Sequence, residues 1–237
     1  MKNFYKTEFE KVAFFDVDGT IYRGNIIEAL MDSEVEDKLL GNEFADEVHN
    51  LHDLLKNNKI TYDEASRKVA ISWTKGLQGK NYNLVVKNAE RFIKKNINNF
   101  YFFLKPLLTM LKNTHDTIIC TNEPQFVAEQ ISKTFGFTNS ISTIFEVKKE
   151  SFTGKVFKFN STQLDKKNSV KEIIKNYSKN LSLAFGDSIG DLGMLEEAEN
   201  PICVNASPNL QKIATNRNWK LSYPENVFNL TSEIISN

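Results

Sequence analysis

A chain of 237 residues can bury a real core, as one large domain or as a domain carrying an insertion. Apolar residues make up 41% and charged residues 25%, ordinary globular proportions. Thirty Lys plus Arg balance thirty Asp plus Glu, so there is no net basic field to attract nucleic acid, which is excluded as an expected partner.

Cys120 and Cys203 are the two cysteines; both lie in apolar runs, have no CxxC spacing, and read as buried core thiols. The N-terminal stretch Met1 to Lys11 alternates charges with aromatics and lacks the apolar run of a secretory signal. No segment approaches membrane-spanning length, so the expectation is a cytoplasmic protein.

In chain order, Lys11 to Phe15 is a short apolar run ending at a carboxylate and then a glycine, as a buried strand entering a turn does. Residues 23–103 carry helical periodicity without a strand signal: Phe44, Val48, Leu51 and Leu55 form one stripe, Tyr62, Ala65, Val69 and Trp73 a second, and Val85, Ala89 and Phe92 a third. That is too long for a loop, and it predicts an all-helical domain inserted after the first strand, with 1–22 and 104–237 forming the catalytic core. Thr117 to Cys120 and Leu181 to Phe185 are further strands, each running into a polar cluster and then a helix. Alternation of this kind implies an α/β fold with a Rossmann-like parallel sheet covered by helices on both faces. Phe145 to Phe159 alternates around Phe152-Thr153-Gly154, which suggests a hairpin or an antiparallel edge. A strand at Ile202 to Val204 and helices near Asn209 to Thr215 and Val227 to Ile235 complete the pattern.

Ligands of such sheets bind beyond the carboxyl ends of the strands, where all three polar clusters fall, so one shared site is expected. In Asp16-Val17-Asp18-Gly19-Thr20 the alternation of the strand, continued one step, points both carboxylates to one side. A divalent cation such as Mg²⁺ accounts for paired anions there, because hard oxygen ligands offset their repulsion. A solvated Asp-x-Asp turn is the plain alternative for the tripeptide alone.

Phe15-Asp16-Val17-Asp18-Gly19-Thr20-Ile21 resembles the first motif of the haloacid dehalogenase superfamily, and later segments resemble the remaining motifs in order. The resemblance implies that Asp16 attacks phosphorus and that Asp18 protonates the leaving group, then activates water. It implies that Thr121 and Asn122 hold a phosphoryl oxygen, although either could instead cap the helix beginning near Pro124. The third motif calls for a phosphate-neutralising Lys at a helix start, and spacing to Val170 selects Lys167 over Lys166. Gly186-Asp187-Ser188-Ile189-Gly190-Asp191 resembles the fourth motif: Mg²⁺ would sit among Asp16, the Asp18 carbonyl and Asp187, with Asp191 supporting from behind. Gly190 departs from the family, where Asn is frequent.

A helical insertion after the first motif resembles the phosphoserine phosphatase branch. The Glu and Arg that grip serine in that branch fall here on Asn25 and Ala70, with Glu28 and Arg67 one helical turn away. The reading is therefore a Mg²⁺-dependent phosphatase of some small phosphorylated metabolite, with Tyr22, Arg23, Asn25, Glu28, Arg67 and aromatics such as Phe102 and Phe103 as candidate leaving-group contacts. Phosphoserine phosphatase proper, a phosphomutase and a non-catalytic binding module are the alternatives. His49 and His52 read as solvated or half-buried imidazoles, His115 as a turn residue, and Trp73 as core packing.

Overall fold

The computed structural model describes residues 9–178 and 181–236; the first eight residues of the charged, aromatic N-terminal stretch lie outside that range. Seven strands form one sheet in the order β4-β3-β2-β1-β5-β6-β7. They are β1 (Lys11–Phe15), β2 (His115–Pro124), β3 (Asn139–Lys148), β4 (Ser151–Lys158), β5 (Leu183–Gly186), β6 (Asn200–Val204) and β7 (Lys220–Ser222). All neighbouring strands pair in parallel except β3 and β4.

Strand alternation sorts the core into two layers. Ala13, Phe15, Ile119, Leu183, Phe185, Ile202 and Val204 face one side, covered by α5 (Leu104–Leu111), α6 (Gln125–Phe135) and α10 (Val227–Ser236). Val12, Phe14, Ile118, Cys120, Ala184 and Cys203 face the other, covered by α7 (Gln163–Ile174), α8 (Leu192–Glu197) and α9 (Pro208–Asn216). Both cysteines are buried free thiols, and burial pushes each up to about 12, so they are inert packing groups.

Between β1 and β2 run α1 (Ile26–Glu36), α2 (Asn42–Lys56), α3 (Tyr62–Gly76) and α4 (Tyr82–Lys95). Their apolar faces, including Leu30, Val48, Val69, Trp73, Ala89 and Phe92, join the first of the two core layers without a break. Trp73 of α3 packs edge-on against Phe126 of α6 and Phe145 of β3, and its indole N–H donates to the buried Glu34 carboxylate at 2.6 Å. The chain leaves and re-enters the sheet layer along paired backbones: Arg23 N–H donates to Asn99 O and Tyr101 N–H to Ile21 O, both at 2.9 Å. Among the described residues, no helix is long and apolar enough to cross a membrane.

Two local expectations are corrected. The reversal between β3 and β4 falls at Lys149 and Glu150, both at positive φ, and not around Thr153-Gly154. The pairing of Val147 with Phe152 and of Lys148 with Ser151 leaves only those two residues to turn the chain. His115 opens β2 and is buried there, and burial drives its imidazole down to about 4.

Candidate active site

Three loops at the carboxyl ends of β1, β2 and β5 meet in a cleft of about 290 Å³. Asp16, Asp18, Gly19, Asn122, Asp187 and Ser188 line its floor. Val17, between the two aspartates, is buried, so the alternation predicted from sequence turns both carboxylates outward from the core. Ile26 N–H donates to Asp18 Oδ1 at 3.0 Å, which fixes one carboxyl oxygen of Asp18 against the start of α1. Gly19 sits at φ +76°, and a Cβ there would fall on the Asp187 carboxylate, so glycine lets the β1 loop pass over the β5 loop.

The lysine in the site is Lys166. Its side chain is 1% exposed, and its Nζ donates to Asp16 Oδ1 at 2.7 Å and to Asp191 Oδ1 at 2.6 Å. Lys167, selected from sequence, points away and pairs with Glu196 at 2.7 Å, 38% exposed. The buried stripe of α7 is Lys166, Val170 and Ile174, an i, i+4, i+8 ridge. Counting i+3 back from Val170 selected the wrong neighbour. Thr162 caps α7 and Asp165 completes a capping box, which sets the rotation that turns Lys166 inward.

Asp191 is held from behind: its Oδ2 accepts from Asp187 N and Ser188 N, both at 3.1 Å, while its Oδ1 takes Lys166. Both oxygens are thus committed, and Asp191 is placed to orient the loop. Asp16, Asp187 and Asp191 have carboxylate oxygens within 4.8 Å of one another. Thr20 Oγ1 donates to Asp16 Oδ2 at 3.4 Å, a long and weak contact that leaves this oxygen available.

Thr121 is buried behind Asn122; its Oγ1 accepts from Glu123 N–H at 3.2 Å, and Asn160 Nδ2 donates to its carbonyl at 2.9 Å. Neither Thr121 nor Asn122 caps a helix. The α6 N-cap is Pro124, with no side-chain cap bond, because β2 continues through that residue. Glu123, unremarked in the sequence, is fully buried beside Asp18, and burial and the Asp18 charge push it well above the carboxylate range. Asn160 likewise has no sequence signature, since its role depends on a contact between distant segments.

Electrostatics set these groups apart. Burial raises Asp16 to about 7, reinforced by Asp191 and opposed by Lys166. Burial also raises Asp18 to about 7, against the Ile26 N–H, and lifts Asp187 well above its ordinary value. Burial works against the Lys166 ammonium, but Asp16 and Asp191 outweigh it and push it up, so the lysine stays charged. Asp16, Asp187 and Asp191 bring hard oxygen donors close together, and a divalent cation among them would favour the ionised forms that burial disfavours.

The upper wall comes from α1 to α3: Asn25, Ile27, His52, Leu55, Tyr62, Ala65, Ser66 and Val69. Several candidate leaving-group contacts are occupied elsewhere. Asn25 caps α1 by accepting from Glu28 N–H, although it also borders the cleft. Glu28 pairs with His52 Nδ1 at 2.5 Å, and His49 pairs with Asp32 at 2.9 Å. Arg67 pairs with Asp165 at 2.9 Å and stacks on Phe159, because α3 lies directly against the start of α7. Tyr22 is buried against Phe100, Arg23 lies over Tyr101, Phe103 is buried and Phe102 faces solvent; none of these four borders the cleft.

Two carboxylates on one loop and a buried lysine thus meet at the head of a parallel α/β sheet. The family profile of the haloacid dehalogenase-like hydrolases matches residues 13–196, and the chain belongs to that family. A protein of unknown function from Bordetella pertussis Tohama I superposes with a TM-score of 0.73 at 19% identity, covering 90% of this chain and 98% of that one. A phospho-aspartyl intermediate analogue of phosphoserine phosphatase gives 0.66 at 17% identity, covering 92% and 94%. Cytosolic 5′-nucleotidase IIIB bound to cytidine gives 0.68 at 10% identity, covering 96% and 85%. At these identities the likeness is one of fold. No curated protein matches the chain by sequence.

Proposed function

We propose that the protein is a Mg²⁺-dependent phosphatase of a small phosphomonoester, working through an aspartyl-phosphate on Asp16. The observation that carries this reading is the Asp16 carboxylate, held at Oδ1 by Lys166 while the residue lines the cleft beside Asp18. In the first half, a carboxylate oxygen of Asp16 bonds to phosphorus and the bond to the ester oxygen breaks, with Asp18 giving its proton to the departing alkoxide. A carboxyl group raised to about 7 by burial is protonated often enough near neutrality for that role. In the second half, the Asp18 carboxylate takes a proton from water, whose oxygen bonds to phosphorus as the bond to Asp16 breaks, releasing inorganic phosphate.

Lys166, Thr121 and Asn122 bind and orient the phosphoryl oxygens, and Asp191 holds Lys166 and the Asp187 loop in place. Asp16, the Asp18 carbonyl and Asp187 would hold Mg²⁺, which supplies neutralisation of phosphoryl charge. Helices α1 to α4 act as a cap that walls the leaving-group side. Its surface of Ile27, Leu55, Ala65 and Val69 with His52 and Ser66 suits a compact, partly apolar alcohol. Phosphoserine is disfavoured, because Arg67 is committed to Asp165 and Glu28 to His52. The free, buried cysteines suit a cytoplasmic setting.

The test is phosphate release from a panel of phosphorylated metabolites, with and without Mg²⁺, by the wild-type chain and by Asp16→Asn. Magnesium-dependent turnover lost in Asp16→Asn is expected. Turnover that survives that substitution, or wild-type protein inert on every compound, would overturn the reading.

A further inference from the structure

We propose that Tyr62 is a substrate-contacting residue: its phenolic hydroxyl, admitted to the site by the missing side chain of Gly190, donates to a phosphoryl oxygen. This rests on the phosphatase reading for its substrate but on separate residues for its geometry.

Gly190 lies in the 3₁₀ turn Ile189–Asp191, between Asp187 and Asp191, with its N–H on Ser188 Oγ at 3.2 Å. A Cβ built on Gly190 would fall on the end of the Tyr62 ring, within 2.6 Å of the hydroxyl oxygen. The phenol thus stands in the space that a side chain at position 190 would take, a polar group delivered from α3. Tyr62 lines the same cleft as Asp16, Asp18, Asn122, Asp187 and Ser188.

Its position is fixed by attachments to the helix that carries Lys166. The next residue, Asp63, accepts from Gln163 N–H at 3.1 Å, at the first residue of α7. One turn further along α3, Arg67 reaches Asp165 and the Phe159 ring. Tyr62 and Lys166 are therefore held in register by neighbouring contacts on one helix end.

The charges facing the phenol are Lys166, Asp191 and Asp16, which belong to the phosphoryl end of the cleft and not to its apolar wall. Burial keeps the phenol protonated, hence a donor, and Ser66, one turn along α3, lines the same cleft. A phosphoryl group above Asp16 presents several anionic oxygens, and a donor on the α3 side complements Thr121, Asn122 and Lys166 on the sheet side. The helical segment would then complete the phosphoryl site as well as cover it.

The experiment measures binding of inorganic phosphate in the presence of Mg²⁺ by calorimetry, and kcat/KM across several phosphomonoesters, for wild type, Tyr62→Phe, Gly190→Ala, Tyr62→Ala and the Tyr62→Ala/Gly190→Ala double variant. Tyr62→Phe removes one oxygen and keeps the ring, so a merely structural role leaves phosphate affinity unchanged. The expected result is phosphate binding weakened about tenfold or more and kcat/KM lowered by the same factor for every ester, as loss of a hydrogen bond to a charged group predicts. Gly190→Ala displaces the ring and behaves likewise, while adding it to Tyr62→Ala has little further effect. Phosphate affinity in Tyr62→Phe within roughly twofold of wild type, or a loss that reorders the esters, would overturn the inference. Wild type that binds phosphate with help from Tyr62 yet releases none from any ester removes the phosphatase reading and keeps this one. Wild type that binds no phosphate removes both.

Discussion

Replacing Lys166 and Lys167 one at a time by methionine separates two adjacent lysines whose environments differ in kind. Lys166→Met keeps a side chain of similar volume but strips the ammonium from two buried carboxylates, at 2.7 Å on Asp16 and 2.6 Å on Asp191. At an effective dielectric of 20, each contact carries about 6 kcal/mol of gross attraction, most of it offset by desolvation of the charges. Removing one partner of such a buried set costs about 3–5 kcal/mol, because the remaining charges stay buried and uncompensated. That approaches the whole stability of an ordinary domain, so the variant should unfold at much lower urea and recover part of the loss when Mg²⁺ is added. Losing a preorganised donor to the phosphoryl group should also lower kcat by about 10²–10³-fold under conditions where the variant is folded. Lys167→Met removes an exposed pair with Glu196 and should match wild type in both urea midpoint and phosphate release. Urea unfolding by circular dichroism and a phosphate-release assay at saturating Mg²⁺ read both effects. Normal turnover by Lys166→Met, or inactivation confined to Lys167→Met, would refute the placement of the buried lysine in the chemistry.

The metal-free protein should lose stability as pH rises from about 4 to about 7: Asp16 and Asp18 are raised above their unfolded values, so the native state binds the extra protons, and thermal melts across that range with and without Mg²⁺ should diverge towards high pH. Burial lifts Glu34 to about 8, so Glu34→Gln, which can still accept from the Trp73 indole, should flatten the loss of stability seen in urea titrations as pH rises through that value. Gly19→Ala should abolish phosphate release through two effects, a strained positive φ and a methyl driven into Asp187, while the near-ultraviolet dichroism of the folded core stays close to wild type. Arg67→Ala frees α3 from Asp165 and Phe159, and the expected result is a raised KM with little change in unfolding midpoint, read from steady-state kinetics and urea titration.

What sequence made legible follows the range of the forces involved. The strands β1, β2 and β5 and the helices after them were readable because burial on both faces writes short apolar runs, and the loops of the cleft were readable because polar residues stand where those runs stop. Asp16, Asp18 and Asp187 reach one cleft, as adjacent strand ends in a parallel sheet require. Lys166 was missed by one residue, which on a helix is a rotation of about 100°; the i+4 relation to Val170 and Ile174 was the signal that selects it. Tyr62 was legible only as a member of a helical stripe and Asn160 not at all, because each meets its partner across segments distant in sequence, Tyr62 beside Gly190 and Asn160 on Thr121. Arg67 and Glu28 matched a pattern by spacing, but nearby groups of opposite charge, Asp165 and His52, hold them instead.

The charge at the strand ends ties these observations together. Asp16, Asp18, Glu123, Asp187 and Asp191 meet in one cluster, Lys166 pairs with the first and last of them, and burial raises the other three and Asp16. A site evolved only for stability would replace such a cluster with apolar groups, which pack at no desolvation cost. On the phosphatase reading the cluster is met from outside by two arrivals of different kinds, a cation and an anion. A divalent cation held among Asp16, Asp187 and the Asp18 carbonyl would lower the cost of ionising the two carboxylates. A phosphoryl group would bring negative charge, which on the same reading the Lys166 ammonium, the Thr121 and Asn122 loop and the Tyr62 phenol would meet with donors. On the phosphatase reading, the Asp16 oxygen that Lys166 leaves free would bond to phosphorus when cation and substrate are both present.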